Sequence, residues 1–332
     1  MRTSGESWLK MRILMRSAWL LAALSLAPAL SIAAGALTAD ARTSPTADVT
    51  SKTIVRIRYL KNTVSGVNLA DARVALDVLF RRILVRRYPQ YEIQMEFLSD
   101  LEEILRSCKA RELDLVTLTG LDYLQIREEG APIRPLFVTS KMDTPGESYL
   151  LIVKKGVDLK KLQGSNPRRL LIEKGGSGTF ARLWLDTVFL EQSLPETAKF
   201  FQTVREADQA SAAVLPVFFG QAEACVVPRS TYEVMIELNP QIGRMLSVLM
   251  TSCDFLSTLG CVRDDLDSEV VKALMEAALS MNTEPEGNQI MTIFHKKSVF
   301  KYEEKDMVET KALYQKYKKL KEKPEAKKNN GG

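Results

Sequence analysis

Leu170-Leu171-Ile172-Glu173-Lys174-Gly175-Gly176-Ser177-Gly178-Thr179-Phe180 is the stretch on which the fold turns. A short apolar run breaks into glycines, and then Phe180, Leu183, Trp184 and Val188 recur at helical spacing, so the order is strand, tight turn, helix. Glycines ahead of a helix let the backbone approach a ligand, while the first unpaired amides and the positive end of the dipole point at it. Ser177 and Thr179 add hydroxyl donors. Arg182 stands in the first turn, where the dipole disfavours a cation unless a bound anion intervenes. A flexible turn with an ordinary Ser or Thr cap and Arg182 in solvent explains the same residues, and the segment alone leaves both open. It is no Walker loop, because no Lys follows the last glycine, and no G-x-S-x-G, because position 179 is Thr.

Upstream, residues 53–60 (TIVRIRYL) alternate as a strand does. Asn68 begins a helix with Ala72, Leu76, Leu79 and Ile83 on one face, closed by Pro89, and 92–97 (EIQMEF) is a second strand. Ser99 with Glu102 predicts a capping box for a helix to about Ala110, and 114–119 (DLVTLT) is a buried strand running into Gly120. Strand, helix, strand, helix, strand is the pattern of an α/β sheet with crossovers. Open sheets of this kind place ligands at strand ends, where Thr119 and Tyr123 offer hydroxyls. The alternative is that Thr119 caps a helix and Tyr123 packs in the core. Thr63 and Ser65, in the loop after the first strand, hold the equivalent position.

Downstream, 150–154 is a further strand. Thr203 with Glu206 predicts a capping box starting a helix that reaches Phe219, bent by Pro216 and stopped by Gly220. Strands at 223–227 and 245–250 follow, then an amphipathic helix over 268–281 and a helical, Lys-rich tail from Glu303 that is expected to fray.

The 332 residues are 45% hydrophobic and 26% charged, enough for two cores of ordinary size. His295 is the only histidine, which disfavours multi-imidazole metal sites and histidine-based triads, and no metal or cofactor is expected. The net charge of +5 divides into +3 over residues 1–34, +5 over 316–328 and −3 over the rest. An acidic body with a basic tail offers no broad footprint for nucleic acid. Asp122 and Glu223 are the carboxylates nearest the candidate segments, and nothing pairs them for acid–base work.

Residues 1–34 have the layout of a secretory signal peptide: a basic segment ending at Arg16, an apolar run over 18–27, then small residues with an ambiguous cut site. An uncleaved anchor is the rival. No cysteine precedes Cys108, so an exported chain would have no lipid-attachment residue and would diffuse freely in the periplasm. Cys253 and Cys261 are the candidate disulfide pair among four cysteines, while Cys225, in a strand-like run, suits a buried apolar role.

Taken in order, DLVTLTGLDY, SYLLIVKKGVDLKKLQG, GGSGT and GQAEACVV resemble the phosphate/phosphite/phosphonate-type substrate-binding proteins of ABC transporters, over about residues 53–283. Gly120 and Tyr123 match that family's Gly-x-x-Tyr turn. Ser177, Gly178 and Thr179 match its anion-binding helix start, with Gly-Ser-Gly-Thr in place of Ser-Thr-Ser-Gly. Gly220 and Ala224 match a Gly-x-x-Asp-Ala strand start in which Glu223 replaces Asp. The resemblance implies the type II periplasmic binding fold, two α/β lobes of mixed sheet flanked by helices with the ligand between them. Lobe 1 would comprise 50–142 plus 255–300 and lobe 2 143–254, with crossings near 140–150 and 250–262 and a C-terminal helix and basic tail over 301–332. It implies a monomer that closes on a small anionic ligand, with Tyr123, Ser177, Gly178 and Thr179 in its binding pattern, and docks on an inner-membrane ABC permease; Thr63, Ser65, Thr119 and Arg182 join them as candidates from the strand-end and helix-start readings. Two alternatives keep the fold: a partner of a membrane sensor kinase or cyclase, and an exported enzyme.

Overall fold

Alternation in TIVRIRYL becomes strand β1 (Thr53–Leu60), which buries Val55, Ile57 and Tyr59 on one face of a sheet. The computed structural model describes residues 52–322 except Ser65, Gly66, Gly175 and Ser257, and gives the backbone but not the side chains at Gly176 and Ser177. The signal-peptide segment 1–34, Ser65, the Ser177 hydroxyl and the end of the Lys-rich tail therefore lie outside the described residues.

After β1, Asn68 caps helix α1 (Leu69–Leu79), its Oδ1 accepting from Ala70 N at 2.8 Å. The helix widens into a π-helical turn (Phe80–Val85) before strand β2 (Tyr91–Leu98). Helix α2 (Leu101–Lys109), strand β3 (Leu115–Leu118), helix α3 (Gly120–Glu128) and strand β4 (Ile133–Ser140) follow. The cap of α2 is Asp100, which accepts from Glu103 N, and not Ser99; Ser99 N donates to Glu103 Oε2.

The chain then leaves through strand β5 (Gly146–Glu147) and enters a second sheet at β6 (Tyr149–Lys154). Helix α4 (Leu159–Gly164), β7 (Arg169–Glu173), α5 (Gly176–Glu191), α6 (Thr197–Phe200) and β8 (Thr203–Ala207) come next. They are followed by α7 (Ala210–Phe218), β9 (Ala224–Pro228), α8 (Arg229–Leu238), α9 (Pro240–Met245) and β10 (Leu246–Thr251). The return runs through β11 (Phe255–Leu256) to β12 (Leu259–Arg263), α10 (Ser268–Ser280), α11 (Pro285–Ile293), β13 (Ser298–Lys301) and α12 (Val308–Glu322).

Thr203–Glu206 is therefore strand, not the capping box its spacing predicts. Residues 203–207 pair in parallel with 169–173, from Thr203↔Arg169 to Ala207↔Glu173, and that ladder satisfies the backbone which a cap would otherwise serve. Helix α7 starts only at Ala210, contains Pro216 and ends near Gly220, whose φ of 76° suits glycine.

The first sheet has the order β13-β4-β12-β3-β1-β2 and the second β10-β6-β9-β7-β8. Each is parallel through three strands, β3-β1-β2 and β9-β7-β8. Each then accepts one antiparallel strand arriving from the other side, β12 in the first and β6 in the second. The two passages between sheets meet as the antiparallel pair β5/β11.

Helix α12 spans the pair of sheets. Leu313 is buried in the second sheet's core and Thr310 Oγ1 accepts from Leu256 N, while Lys318 bonds Glu128 of α3 and Lys321 bonds Glu196 beside α6. Up to Glu322, then, the basic C-terminal segment is a docked helix. All four cysteines are free. Cys261 is buried in β12 and Cys253 exposed ahead of β11, so the expected Cys253–Cys261 bridge is absent: one thiol points into a sheet core and the other to the surface.

Candidate functional site

Both sheets end their parallel strands toward the β5/β11 passage, and the polar residues of the site come from those ends. Lys296, just ahead of β13, donates from Nζ to Thr258 Oγ1 at 2.9 Å. Burial, helped by the like charge of Lys141 and opposed by Glu147, lowers its pKa to about 7. Glu147, on β5, is 4% exposed; its two oxygens accept from Ser230 N (3.2 Å) and Ser230 Oγ (2.8 Å) at the start of α8. Burial raises the Glu147 carboxyl, against the pull of Ser230 and Lys141. Glu173, at the end of β7 in the second sheet, is raised by burial in the same way, against Lys141 and a hydrogen bond with Thr231. Its Oε2 is buried without a hydrogen-bond partner. Lys141, Glu147, Glu173 and Lys296 thus form one electrostatic cluster drawn from the first sheet, the passage and the second sheet.

The glycine turn stands beside this cluster. A Cβ on Gly178 would lie 2.6 Å from the Glu173 carbonyl oxygen, so only glycine lets α5 begin this close to β7. Phe180, early in α5, stacks on Phe255 of β11 and Tyr149 of β6 with centroids 5.8 and 6.3 Å apart, which ties the helix start to the return passage and to the second sheet. Thr179 is exposed. Arg182 is 3.8 Å from Glu206 at the end of β8 and so already holds a protein carboxylate.

On the first sheet, Thr63 Oγ1 donates to Leu60 O at 2.7 Å and lies 3.2 Å from Thr117 Oγ1. Thr119 is 2% exposed and caps α3 in a reciprocal box: its hydroxyl donates to Asp122 Oδ2 (2.7 Å) and accepts from Asp122 N (3.1 Å). Asn62 Nδ2 also reaches Asp122, at 3.3 Å. Tyr123 packs against the opposite-face core with Arg127, Tyr302 and Glu304 around it, and burial pushes its phenol up to about 12. The structure therefore places Thr63 after β1 of the first sheet and the Gly178-Thr179 turn after β7 of the second. It gives Thr119 to helix capping, Tyr123 to a different groove and Arg182 to Glu206. Glu223 accepts from Arg169 N, Nε and Nη2 and joins two strands rather than serving a cleft.

Lys141, Glu147, Glu173 and Lys296 are the residues that sequence reasoning missed. Each is a single charge bordering an apolar strand, and such a charge ordinarily reads as solvated. Among the described residues no group of acids, cysteines or histidine is placed to hold a metal ion.

A family model described as ABC transporter, phosphonate, periplasmic substrate-binding protein matches residues 79–306. No curated protein matches the chain. A Xanthomonas citri protein bound to chloride ion is similar over 81% of this chain and 98% of its own, at 12% identity and a TM-score of 0.60. A Prochlorococcus marinus protein in complex with methylphosphonate is similar over 80% of this chain and 98% of its own, at 16% identity and a TM-score of 0.56. A binding protein component of an ABC phosphonate transporter from Pseudomonas aeruginosa covers 81% of this chain and 88% of its own, at 14% identity and a TM-score of 0.55. These likenesses are of fold: two mixed sheets flanked by helices, the type II periplasmic binding architecture.

Proposed function

The chain belongs to the phosphonate-type periplasmic substrate-binding proteins of ABC transporters, and from that premise we propose that it captures a small anionic solute, a phosphonate or other oxyanion, between its two sheets. The family transports solutes rather than transforming them, and among the described residues no helix is long and apolar enough to cross a membrane. In this proposal residues 50–142 with 255–300 and residues 143–254 are the two lobes. They close as a monomer about the β5/β11 passage and present the loaded form to an inner-membrane permease. Export by a cleaved signal peptide over 1–34 belongs to the same reading.

The observation that carries the proposal is the meeting of Lys141 and Lys296 with carboxylates from the passage and from the second sheet. A half-buried lysine whose hydrogen bond goes to a threonine is matched better by an anion that enters the closed cleft. Thermal-shift titration with methylphosphonate, phosphate, methanesulfonate, glycine and lysine tests it. An oxyanion should raise the melting temperature by mass action, and Lys296→Gln should blunt that rise. A response to the amino acids alone would refute the reading. Recovery of a permease from membranes supports delivery; recovery of a sensor alone would replace it.

A further inference from the structure

The first sheet and its helices do not close completely on one another. Between them lies a cavity of about 100 Å³, in an interior where voids larger than a water molecule are few. Its walls include Leu76 of α1, Phe80 and Ile83 of the π-helical turn, and Leu274 and Ala278 of α10. The polar lining is Thr63, Thr117, Thr139, Thr258 and Lys296. These five share one end of the sheet. Thr63 follows β1, Thr117 and Thr139 stand next to last in β3 and β4, and Thr258 and Lys296 precede the antiparallel strands β12 and β13. That is the end that faces the charged cluster. The cavity is therefore a chamber with mostly apolar walls and, at one end, a polar lining of threonine hydroxyls and Lys296. Part of its wall is a π-helical turn, a rare feature that concentrates at functional sites.

We propose that the chamber receives the apolar substituent of the ligand whose anionic head sits at Lys296. The solute is then a small organic anion with an alkyl tail, rather than an inorganic oxyanion. This rests on the cleft being the place of the head and adds the tail to it. Away from the threonines and Lys296 the walls are almost wholly apolar, so a charged tail would be stranded there. A cavity of about 150 Å³ lined by Leu, Ile and Phe takes benzene, so this smaller one suits a chain of about four to five carbons.

Calorimetric titration with methyl-, propyl-, butyl- and hexylphosphonate decides the matter. Affinity should rise by up to about fourfold per added methylene as far as butyl, and fall at hexyl. Ala278→Leu should abolish the gain while leaving methylphosphonate binding unchanged. Met281 also lines the chamber, so Met281→Ala should enlarge it and move the optimum to the longer chain, which keeps the test in force if the first variant does not fold. Lys296→Gln should weaken every member by a similar factor. If methylphosphonate binds and longer chains bind no more tightly, the tail inference is overturned and the cleft reading stands. If neither a phosphonate nor an alkylsulfonate of any length binds, the cleft reading fails and takes this inference with it.

Discussion

Raising the pH from 7 to 9 should strip the charge from Lys296 and, with it, the affinity for an anion. Its pKa of about 7 arises from burial and from Lys141, against which Glu147 and the bond to Thr258 give only partial support. About half of the side chain is charged at pH 7 and about one part in a hundred at pH 9, so an anion that requires the ammonium loses about fiftyfold in affinity. Binding at pH 9 should take up close to one proton. Methanesulfonate is the ligand of choice, since it stays a monoanion over the whole interval. Calorimetry in two buffers of different ionisation enthalpy reads affinity and proton uptake together, with Lys296→Gln as a variant whose affinity should be flat. An unchanged wild-type affinity between pH 7 and 9, or proton release on binding, would refute the reasoning. The linkage also has a sign for the free protein. Because the native pKa lies below the ordinary value of 10.5, the unfolded chain binds more protons between about 7 and 10.5. Stability should rise with pH through that window, and the full cost, on the order of 5 kcal/mol, is present below pH 7. Lys296→Met should accordingly raise the melting temperature at pH 6.

Gly178→Ala forces a Cβ to within 2.6 Å of the Glu173 carbonyl; it should cost about 1–3 kcal/mol in denaturant unfolding and weaken oxyanion binding by displacing the start of α5. Leu313→Ala empties a buried site where α12 meets the second sheet, and chemical denaturation should show a loss of about 2–4 kcal/mol. A thiol reagent should label Cys253 alone in the folded protein and four thiols after unfolding; burial and Glu309 raise the Cys253 thiol, so labelling should be slow at pH 7. Tyr123→Phe should leave methylphosphonate binding unchanged in titration, because its neighbours lie in a different groove.

Local signals were readable where the segment that carries them also satisfies itself. Asn68 caps α1 from within four residues, and Gly178 lets α5 start beside its own preceding strand. Thr203 and Glu206 misled because the partner that makes them strand is β7, which is remote in sequence. Thr119 looked like a cleft hydroxyl and an N-cap equally well, and the capping box with Asp122 took it. The pairing of Cys253 with Cys261 failed for a related reason: spacing along the chain carries no information about which side of a sheet a strand turns to.

The sequence by itself determined the alternation of strands and helices, the glycine-opened helix start, the absence of a histidine-rich site and the family pattern. These depend on side-chain periodicity and on residue types that act within a few positions of themselves. Tertiary structure alone decided that Lys141, Glu147, Glu173 and Lys296 share one electrostatic site and that an apolar chamber opens beside it. Charges and voids of this kind exist only where distant strands end together, since burial, and not chain neighbourhood, turns a common surface lysine into a poised cation.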